Sequence, residues 1–313
     1  MRVAARYLGP MATDPIVRIG TRGSDLALWQ AHYLQNQLLQ HGTKSELVII
    51  KTQGDRIQHL SLDKLEGKGF FTKELEDALL AGEVQVAVHS MKDLPTTMPP
   101  GLVLGGVSER ADPTDWLLVA PSAVEEGKIW KLREGARVGT SSARRKAQLL
   151  DLRSDLNTVN IRGNVPTRVQ KLREGQFDGI VLAAAGLTRL DLDLSDLHVV
   201  ELHPHEFVPA PAQGVLAYQC SEQDVDTRRM LAKIHVARTA RCTNVERSLL
   251  QSFDGGCHLP LGAHCVAEHG AYTLHAAYAP SATAPLVRRR LSYSTFDGLA
   301  EDMKHLLEEA VAA

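Results

Sequence analysis

Residues 137–150 read RVGTSSARRKAQLL, and this stretch shows the pattern on which most of the fold depends. A short β-rich run at 137–140 is followed by a helix-length segment at about 142–150. The same alternation recurs between residue 16 and about residue 190, with further strands predicted at 16–20, 46–52, 84–89, 158–161 and 179–184. Helices are predicted after the N-cap residue Ser24, at 71–80, and from Pro166 to about Glu174. Alternating strands and helices predict a mostly parallel sheet that is covered on both faces.

Two irregular segments divide this α/β region. The first is ERADPTDW at 109–116, and the second is a cluster formed by Pro204, Pro209 and Pro211. Because the chain would then cross twice between its halves, we predict two α/β domains joined by a hinge, with a cleft between them. Domain 1 takes residues 16–110 and 208–235, domain 2 takes 111–207, and residues 1–15 form a flexible N-terminal extension.

The pattern changes after about Arg241. Thr243-x-x-Glu246 has the spacing of a capping box, which predicts a helix that starts there and runs to about Phe253. Strand-like stretches follow at 262–268, 272–278 and 286–293, and an amphipathic helix is predicted at 296–312. We therefore predict a small C-terminal α+β domain at 236–313, with an antiparallel sheet.

Composition and charge exclude several classes of protein. Hydrophobic residues make up 44% of the chain and charged residues 23%, and the net charge is −2, which is typical of a soluble globular protein and not of a general polyanion binder. No apolar run reaches the ~18–20 residues that would span a bilayer, and the first residues lack the apolar core of a signal peptide. The four cysteines are expected to be free thiols in a reducing compartment, so we expect a cytoplasmic protein with no membrane association.

Basic side chains gather where the predicted strands end. In open α/β sheets, ligands bind at the carboxyl ends of the strands, where helix N-termini also attract anions. We therefore predict a cleft that holds several carboxylates or phosphates through guanidinium and hydroxyl donors. Any single arginine of the set could instead pair with an acidic residue at the surface. The residues at these strand ends are Arg22, Ser24, Lys92, Thr140, Ser141, Arg144, Arg145, Arg162, Arg168 and Arg189.

Asp93 is a lone carboxylate among these basic groups. A carboxylate at a strand end can act as a general acid or base, or can hold a ligand that carries a positive charge or an N–H group. It can equally cap the turn that precedes Pro95. The residues alone favour neither role.

The segment GGCH at 255–258 places a thiol in a loop opened by two glycines. The four candidate metal ligands in this region do not match the spacing of zinc sites, so we predict no metal; they are Cys257, His258, His264 and Cys265. Three thiols are predicted to be buried small apolar groups: Cys220, Cys242 and Cys265. Cys257 stays a candidate reactive thiol, although no base is visible near it in the sequence.

Eight segments of the chain together resemble one enzyme family. In chain order they are TRGSDLALWQAH, GKGFFTKELEDALL, VAVHSMKDLPT, VGTSSARRKAQL, NIRGNVPTRVQKL, DGIVLAAAGLTRL, PAPAQGVLAYQC and GGCHLPLGAH. The chain resembles the porphobilinogen deaminase family, also called hydroxymethylbilane synthase, from residue 16 almost to its C-terminal end. The resemblance implies two domains like those of periplasmic binding proteins, and a smaller domain that carries a cofactor.

The resemblance also implies an activity. Enzymes of this family are transferases of tetrapyrrole (porphyrin and haem) biosynthesis that join four porphobilinogen molecules head to tail, release ammonia and form linear hydroxymethylbilane. It implies a dipyrromethane cofactor that is bound by a thioether to Cys257, a small-molecule substrate, no nucleic-acid partner, and a monomer. Asp93 is expected to be the catalytic residue, whose carboxylate binds pyrrole N–H groups, stabilises the positively charged azafulvene-type intermediate and handles protons.

The family's binding positions can be placed on this chain. The resemblance implies that the cofactor contacts Cys257, Lys92, Asp93, Thr140, Ser141, Arg144 and Arg145. It implies that the substrate contacts Arg22, Ser24, Arg162, Arg168, Arg189, Lys68 and Phe71, of which the last two match a loop that covers the family's active site. One departure lies in the hinge, where Ala212 stands at a position at which many members carry glycine.

Two other classes of function compete with this interpretation. A non-catalytic, two-lobed protein that closes on a small anion would use the same basic residues and leave Cys257 structural. Nucleic-acid binding through Arg144, Arg145 and Lys146 is less favoured, because aromatic residues amount to only 5% of the chain and none lies in that run.

Overall fold

The computed structural model describes residues 16–52, 72–254 and 259–312. In chain order its strands are β1 (Val17–Thr21), β2 (Ser45–Ile49), β3 (Val86–Ser90), β4 (Leu102–Val107), β5 (Asp115–Val119), β6 (Arg137–Gly139), β7 (Asn157–Val159), β8 (Gly179–Ala183), β9 (His198–Leu202), β10 (Leu216–Ser221), β11 (Leu261–Glu268), β12 (Ala271–Tyr278) and β13 (Val287–Tyr293).

The helices lie between these strands. They are α1 (Asp25–Gln40), α2 (Lys73–Leu80), α3 (Ala143–Leu152), α4 (Val165–Arg173), α5 (Ala184–Arg189), α6 (Val225–Ala232), α7 (Ala237–Ser252) and α8 (Leu299–Ala312). Short polar residues start four of them, and the cap at Ser24 was predicted. Asp224 caps α6 by accepting from the backbone N–H of Thr227. The Ser24 hydroxyl accepts from the backbone N–H of Ala27, Ser142 does the same for Arg145, and Asn164 for Thr167.

The first sheet has the strand order β2-β1-β3-β10-β4. β1 runs parallel to β2 and β3, whereas β10 is antiparallel to both β3 and β4. Two clusters of buried side chains pack on this sheet: one contains Ile19, Leu34 and Val86, and the other contains Leu75 and Ala87. Four strands therefore run in one direction, and the strand that reverses is the one that returns to this sheet late in the chain.

The second sheet repeats this plan with the order β7-β6-β8-β5-β9. β6 is parallel to β7 and β8, and β5 is antiparallel to β8 and β9. Leu117, Leu149 and Ile180 are fully buried in its core. Here the reversed strand is the first one formed after the chain leaves the first sheet.

Each reversed strand is the first strand that the chain forms after it crosses from one sheet to the other. The segment 108–114 leads from β4 in the first sheet to β5 in the second, and the segment 203–215 leads from β9 back to β10. The predicted architecture is confirmed: two α/β domains joined by two crossings of the chain, with a further small α+β domain. In each large sheet four of the five strands run in one direction, but two of the four pairings are antiparallel, so the sheets are mixed and not mostly parallel as predicted.

Several elements were not predicted. β4, β5, β9, β10 and α6 have no counterpart in the sequence-based assignment, and they include both reversed strands. Where a strand lies beside an antiparallel neighbour that is far away in the chain, its pairing depends on tertiary contacts and not on local alternation.

The third domain is an antiparallel sheet in the order β11-β12-β13, with α7 and α8 packed on it. Its core contains Leu249, Leu274, Met303 and Leu307, all fully buried. The predicted capping box is wrong. Helix α7 begins at Ala237, so Thr243 and Glu246 lie in its middle, where both are fully buried. The Thr243 hydroxyl bonds the carbonyl of Thr239 one turn back, as a buried mid-helix threonine can do.

Candidate active site

The predicted site residues lie at the strand ends of the two large sheets. Arg22 and Ser24 follow β1, and Lys92 and Asp93 lie in a 3-10 turn, Met91–Asp93, directly after β3. In the second domain, residues 140–145 follow β6, residues 162–168 follow β7, and Arg189 ends the helix after β8. The strand ends of the first sheet and those of the second lie close together, since α5 of the second domain contacts α1 of the first.

Lys92 and Asp93 stand on a turn that points toward the second domain. The Lys92 ammonium donates to Gln213 Oε1 at 3.1 Å in the return crossing. Burial lowers the pKa of Lys92 to about 8, an effect that Asp93 opposes and Arg145 of the second domain strengthens. The Asp93 side chain is exposed, and no described residue hydrogen-bonds its carboxylate. The turn is held by its own backbone, with Leu94 N donating to Met91 O, so the described residues offer no support for a capping role of Asp93.

Arg144 and Arg145 are almost fully buried, at 5% and 7% exposure, and share a carboxylate that the sequence did not single out. Asp115, at the start of β5, lies 2.8 Å from Arg144 Nη2 and 2.7 Å from Arg145 Nη2. Although burial alone would raise it, the two guanidinium groups hold the pKa of the Asp115 carboxyl well below its usual range. Two cations and one anion leave this buried cluster with one excess positive charge.

Each of these arginines also donates to a backbone carbonyl: Arg144 to Val208 O at 2.8 Å, and Arg145 to Val181 O at 2.9 Å. Their guanidinium planes are therefore fixed by the protein before any ligand arrives. The alternative in which an arginine of the set pairs with an acid is correct for these two, but the acid is buried and not at the surface.

Thr140 and Ser141 shape the loop after β6. The Thr140 hydroxyl accepts from Ser142 N at 3.2 Å. The Ser141 hydroxyl donates to Ile161 O at 2.8 Å and accepts from Ile161 N at 3.1 Å, which ties this loop to the one after β7. Both hydroxyls thus take part in local structure: Ser141 keeps one free lone pair, whereas Thr140 keeps its O–H donor and one lone pair.

Arg168 and its neighbour Arg162 form the cationic part of the β7 loop. Arg168 is half-buried and donates through Nε to Gly163 O at 2.7 Å. Burial lowers the pKa of Arg168 to about 10, with Arg145 and Arg162 adding to the effect and Asp93 opposing it. The influence of Asp93 places the carboxylate of the first domain near the guanidinium groups of the second.

Arg189 bridges the two domains. Its Nη2 donates to Gly214 O at 2.7 Å, and its guanidinium lies 5.3 Å from the ring centre of Trp29 on α1. Ser24, by contrast, uses its hydroxyl as the N-cap of α1, and Arg22 is half-buried beside it. Arg22 also lies close enough to His89 to help lower the pKa of that buried imidazole, which burial brings to about 4.

Gln213 was missed by the sequence analysis, and it links the groups above. Its side chain is 1% exposed; Nε2 donates to Asp115 Oδ1 at 3.0 Å and to Pro113 O at 2.8 Å, while Oε1 accepts from Lys92. The preceding residue, Ala212, adopts a φ of 61°, a conformation that glycine tolerates best, which explains why glycine suits this hinge position. In the sequence, only the position of Asp115 and Gln213 in the two predicted crossings between the domains could have indicated that they belong to the site.

Three predicted site residues lie outside the described residues: Cys257, Lys68 and Phe71. Their assignments stay predictions. The other three thiols are buried as predicted; they are Cys220, Cys242 and Cys265. Burial raises the pKa of the Cys220 thiol to about 11, which makes it a poor nucleophile.

The donor set fits a ligand that carries several carboxylates. Within 16–52, 72–254 and 259–312, no carboxylate lies within 4.0 Å of the charged groups of Lys92, Arg168 or Arg189, so these cations keep their charge available to a bound anion. A cleft edge of half-buried cations favours anions because stripping water from a carboxylate is costly unless strong donors replace it. The fold and the site define a protein with two large α/β domains, whose neighbouring strand ends carry a set of half-buried cations, and a small third domain.

Comparison with known proteins identifies the family. Residues 17–229 match the family model described as porphobilinogen deaminase, dipyromethane cofactor binding domain, and residues 240–278 match that of the C-terminal domain of porphobilinogen deaminase. A porphobilinogen deaminase of Syntrophotalea carbinolica is 46% identical over 82% of this chain and 81% of its own length. That of Trichlorobacter lovleyi is 45% identical over 90% of this chain and 89% of its own. The chain belongs to the porphobilinogen deaminase family.

A periplasmic substrate-binding protein of an ABC transporter from Coxiella burnetii is similar in structure at a TM-score of 0.43 and 12% identity, over 72% of this chain and 94% of that one. In the part of the chain that the structure describes, no helix is long and apolar enough to cross a membrane.

Proposed function

We propose that the cleft between the two α/β domains is the site at which this chain condenses four porphobilinogen molecules into hydroxymethylbilane with release of ammonia. The observation that carries the proposal is the meeting of one exposed carboxylate, Asp93, with half-buried cations from both domains. Each porphobilinogen bears two carboxylates, so the product gains negative charge at every step. A cationic cleft in a chain of net charge −2 suits that product.

The dipyrromethane cofactor supplies the primer on which the product chain is extended. We assign its attachment to Cys257, and contacts with its carboxylates to Lys92, Thr140, Ser141, Arg144 and Arg145. Lys92 can contribute directly, because its ammonium has three N–H donors and only one of them is given to Gln213 among the described residues. Arg144 and Arg145 contribute through the field of a fixed, net positive cluster, with the guanidinium edges that Asp115 leaves open.

Asp93 is proposed as the catalytic residue. An exposed carboxylate at the end of β3 can accept a pyrrole N–H and offset the positive charge that develops on the substrate when ammonia leaves. The carboxylate of Asp93 lies near enough to Arg168 and Lys92 to raise the pKa of both cations against the effect of their burial. The carboxylates of the incoming substrate are assigned to Arg22, Ser24, Arg162, Arg168 and Arg189, and Lys68 and Phe71 are assigned to a loop that covers the bound substrate.

We also propose the cellular setting and the domain limits. The chain acts in the cytoplasm as a monomer on a small-molecule substrate, without a nucleic-acid partner. The domains extend over 16–110 with 208–235, over 111–207, and over 236–313, as the sequence predicts.

Intact mass spectrometry and turnover assays test the proposal. The purified chain is expected to carry an added mass of two pyrrole units that maps to Cys257 and is lost in Cys257→Ser. Asp93→Asn is expected to keep the adduct and lose at least a hundredfold in kcat. Asp226→Asn is the matched control, because its side chain is 96% exposed and remote from the cleft. A bare polypeptide mass in an active preparation would contradict the attachment, and near-normal turnover of Asp93→Asn would contradict the catalytic role.

A further inference from the structure

Arg247 on α7 reaches out of the C-terminal domain to the turn that carries Asp93. Its Nη1 donates to Met91 O at 3.2 Å and to Leu94 O at 3.1 Å, and its Nη2 donates to Pro95 O at 2.6 Å. The three carbonyls lie on both sides of Asp93 in the chain. One side chain therefore holds the entry and the exit of the turn.

The partners of this guanidinium are unusual for a buried arginine. The residue is 9% exposed, and burial lowers the pKa of Arg247, yet no carboxylate in the described ranges pairs with it. Burying a cation without an anion is costly, and here three carbonyl oxygens must replace its water. A leucine or methionine would fill the same space without that cost, so packing alone does not account for an arginine at this position.

The turn has few other restraints from outside its own domain. The 3-10 turn Met91–Asp93 spans three residues, and its backbone bonds are Leu94 N to Met91 O and Met91 N to Val215 O. Isolated short turns of this kind are easily deformed. The three bonds from Arg247 fix the carbonyl direction on each side of Asp93, and thereby the direction of the Asp93 side chain.

The same helix is anchored at the hinge by the neighbouring residue. Glu246 accepts from Arg110 at 2.6 Å, from Ala212 N at 2.6 Å and from Cys265 N at 2.7 Å, so α7 cannot slide relative to either crossing. Although burial opposes it, Arg110 and His264 lower the pKa of Glu246 to about 2, which keeps this anchor charged at neutral pH. Arg247 thus extends from a fixed support.

We infer that Arg247 is a positioning residue for the reaction: from the C-terminal domain it holds the turn of residues 91–95 and so aims the Asp93 carboxylate into the cleft. The inference rests on the proposed function, because it assigns Arg247 a part in the turnover that depends on Asp93. A displacement of about 1 Å at a catalytic group can cost as much as a hundredfold in rate. Loss of Arg247 is therefore expected to lower kcat more than it raises KM.

The experiment compares Arg247 with another buried arginine that also donates to three backbone carbonyls. Arg153 is 8% exposed and donates to Ile129 O, Leu132 O and Arg133 O in the second domain, away from the Asp93 turn, and unlike Arg247 it also pairs with a carboxylate, that of Asp155, at 2.7 Å. Arg247→Met and Arg153→Met are each expected to lower the urea midpoint of unfolding. At a temperature where both are folded, only Arg247→Met is expected to lose at least tenfold in kcat, with KM changed less than threefold.

Lysine variants keep the test decisive if a methionine variant does not fold. A lysine can reach some of the same carbonyls with its three N–H donors but lacks the planar fork. Arg247→Lys is expected to lose about threefold in kcat, and Arg153→Lys none. Equal kcat values for the paired variants, methionine or lysine, overturn the inference while wild-type turnover leaves the proposed function intact. Absence of porphobilinogen turnover in the wild type overturns the proposed function itself.

Discussion

Removing the charge of Asp115 should lower the free energy of unfolding of this protein, because two buried guanidinium groups depend on it. In Asp115→Asn, the amide oxygen can still accept one hydrogen bond, but Arg144 and Arg145 lose the only carboxylate that pairs with them among the described residues. They are 5% and 7% exposed, so water cannot take its place without opening the core. Breaking a buried ion pair by removing one partner costs about 3–5 kcal/mol.

Asp178→Asn provides the matched control for this substitution. Asp178 is also buried, at 8% exposure, and accepts from Arg137 N at 2.7 Å and Arg133 Nη2 at 3.1 Å in the same domain. Its arginine partners, however, have side chains that are 49% exposed, so water can solvate them when the carboxylate is lost. An exposed pair of this kind contributes about 0–1 kcal/mol, and the amide keeps the backbone hydrogen bond.

Urea unfolding at neutral pH measures both changes. Asp115→Asn is expected to lower the free energy of unfolding by about 3 kcal/mol or more, and Asp178→Asn by about 1 kcal/mol. Because Gln213 also donates to Asp115, the substitution should disturb Lys92 and lower kcat/KM as well. Free energies of unfolding that agree within about 1 kcal/mol for the two variants would refute the reasoning, because burial of the arginines would then carry no cost.

Two other predictions concern the hinge and the pH dependence. Gly214 has a φ of 90°, and a Cβ at this position would lie 2.5 Å from Ala111 O in the other crossing. Gly214→Ala should therefore lower the urea midpoint well below that of the control Gly175→Ala, where φ is 74° and no atom lies within 4 Å of the added Cβ. Equal midpoints for the two variants would contradict a clash between the crossings. Burial lowers the pKa of Lys92 to about 8, so its positive charge is present below pH 8 and is lost above it. The kcat/KM for porphobilinogen should therefore fall as the pH rises through about 8, and Lys92→Arg should move that decline to higher pH; an unchanged profile in Lys92→Arg would assign the decline to another group.

Much of the fold was open to prediction because it depends on local periodicity. The strands before Arg22, Lys92, Thr140 and Arg189 were predicted within a few residues, and so were the helices that follow Arg22 and Thr140. Strand–helix alternation is visible in single segments, since a buried parallel strand is apolar on both faces and a covering helix is amphipathic. The capping-box prediction failed at Thr243 because the same polar residues also occur inside a buried helix, where tertiary contacts satisfy them.

The sequence by itself determined the α/β alternation, the set of basic residues at the strand ends, the lone carboxylate Asp93 and, through its motifs, the family. Tertiary structure alone decided which acid neutralises which arginine and which side chain bonds the turn that carries Asp93. Asp115 lies 30 positions before Arg145 in the chain, and Met91 lies 156 positions before Arg247. The residues next to a carboxylate or guanidinium in the sequence do not indicate whether it will face water or a charged partner. Its burial, and therefore its cost and its role, are fixed only when distant strands and helices pack.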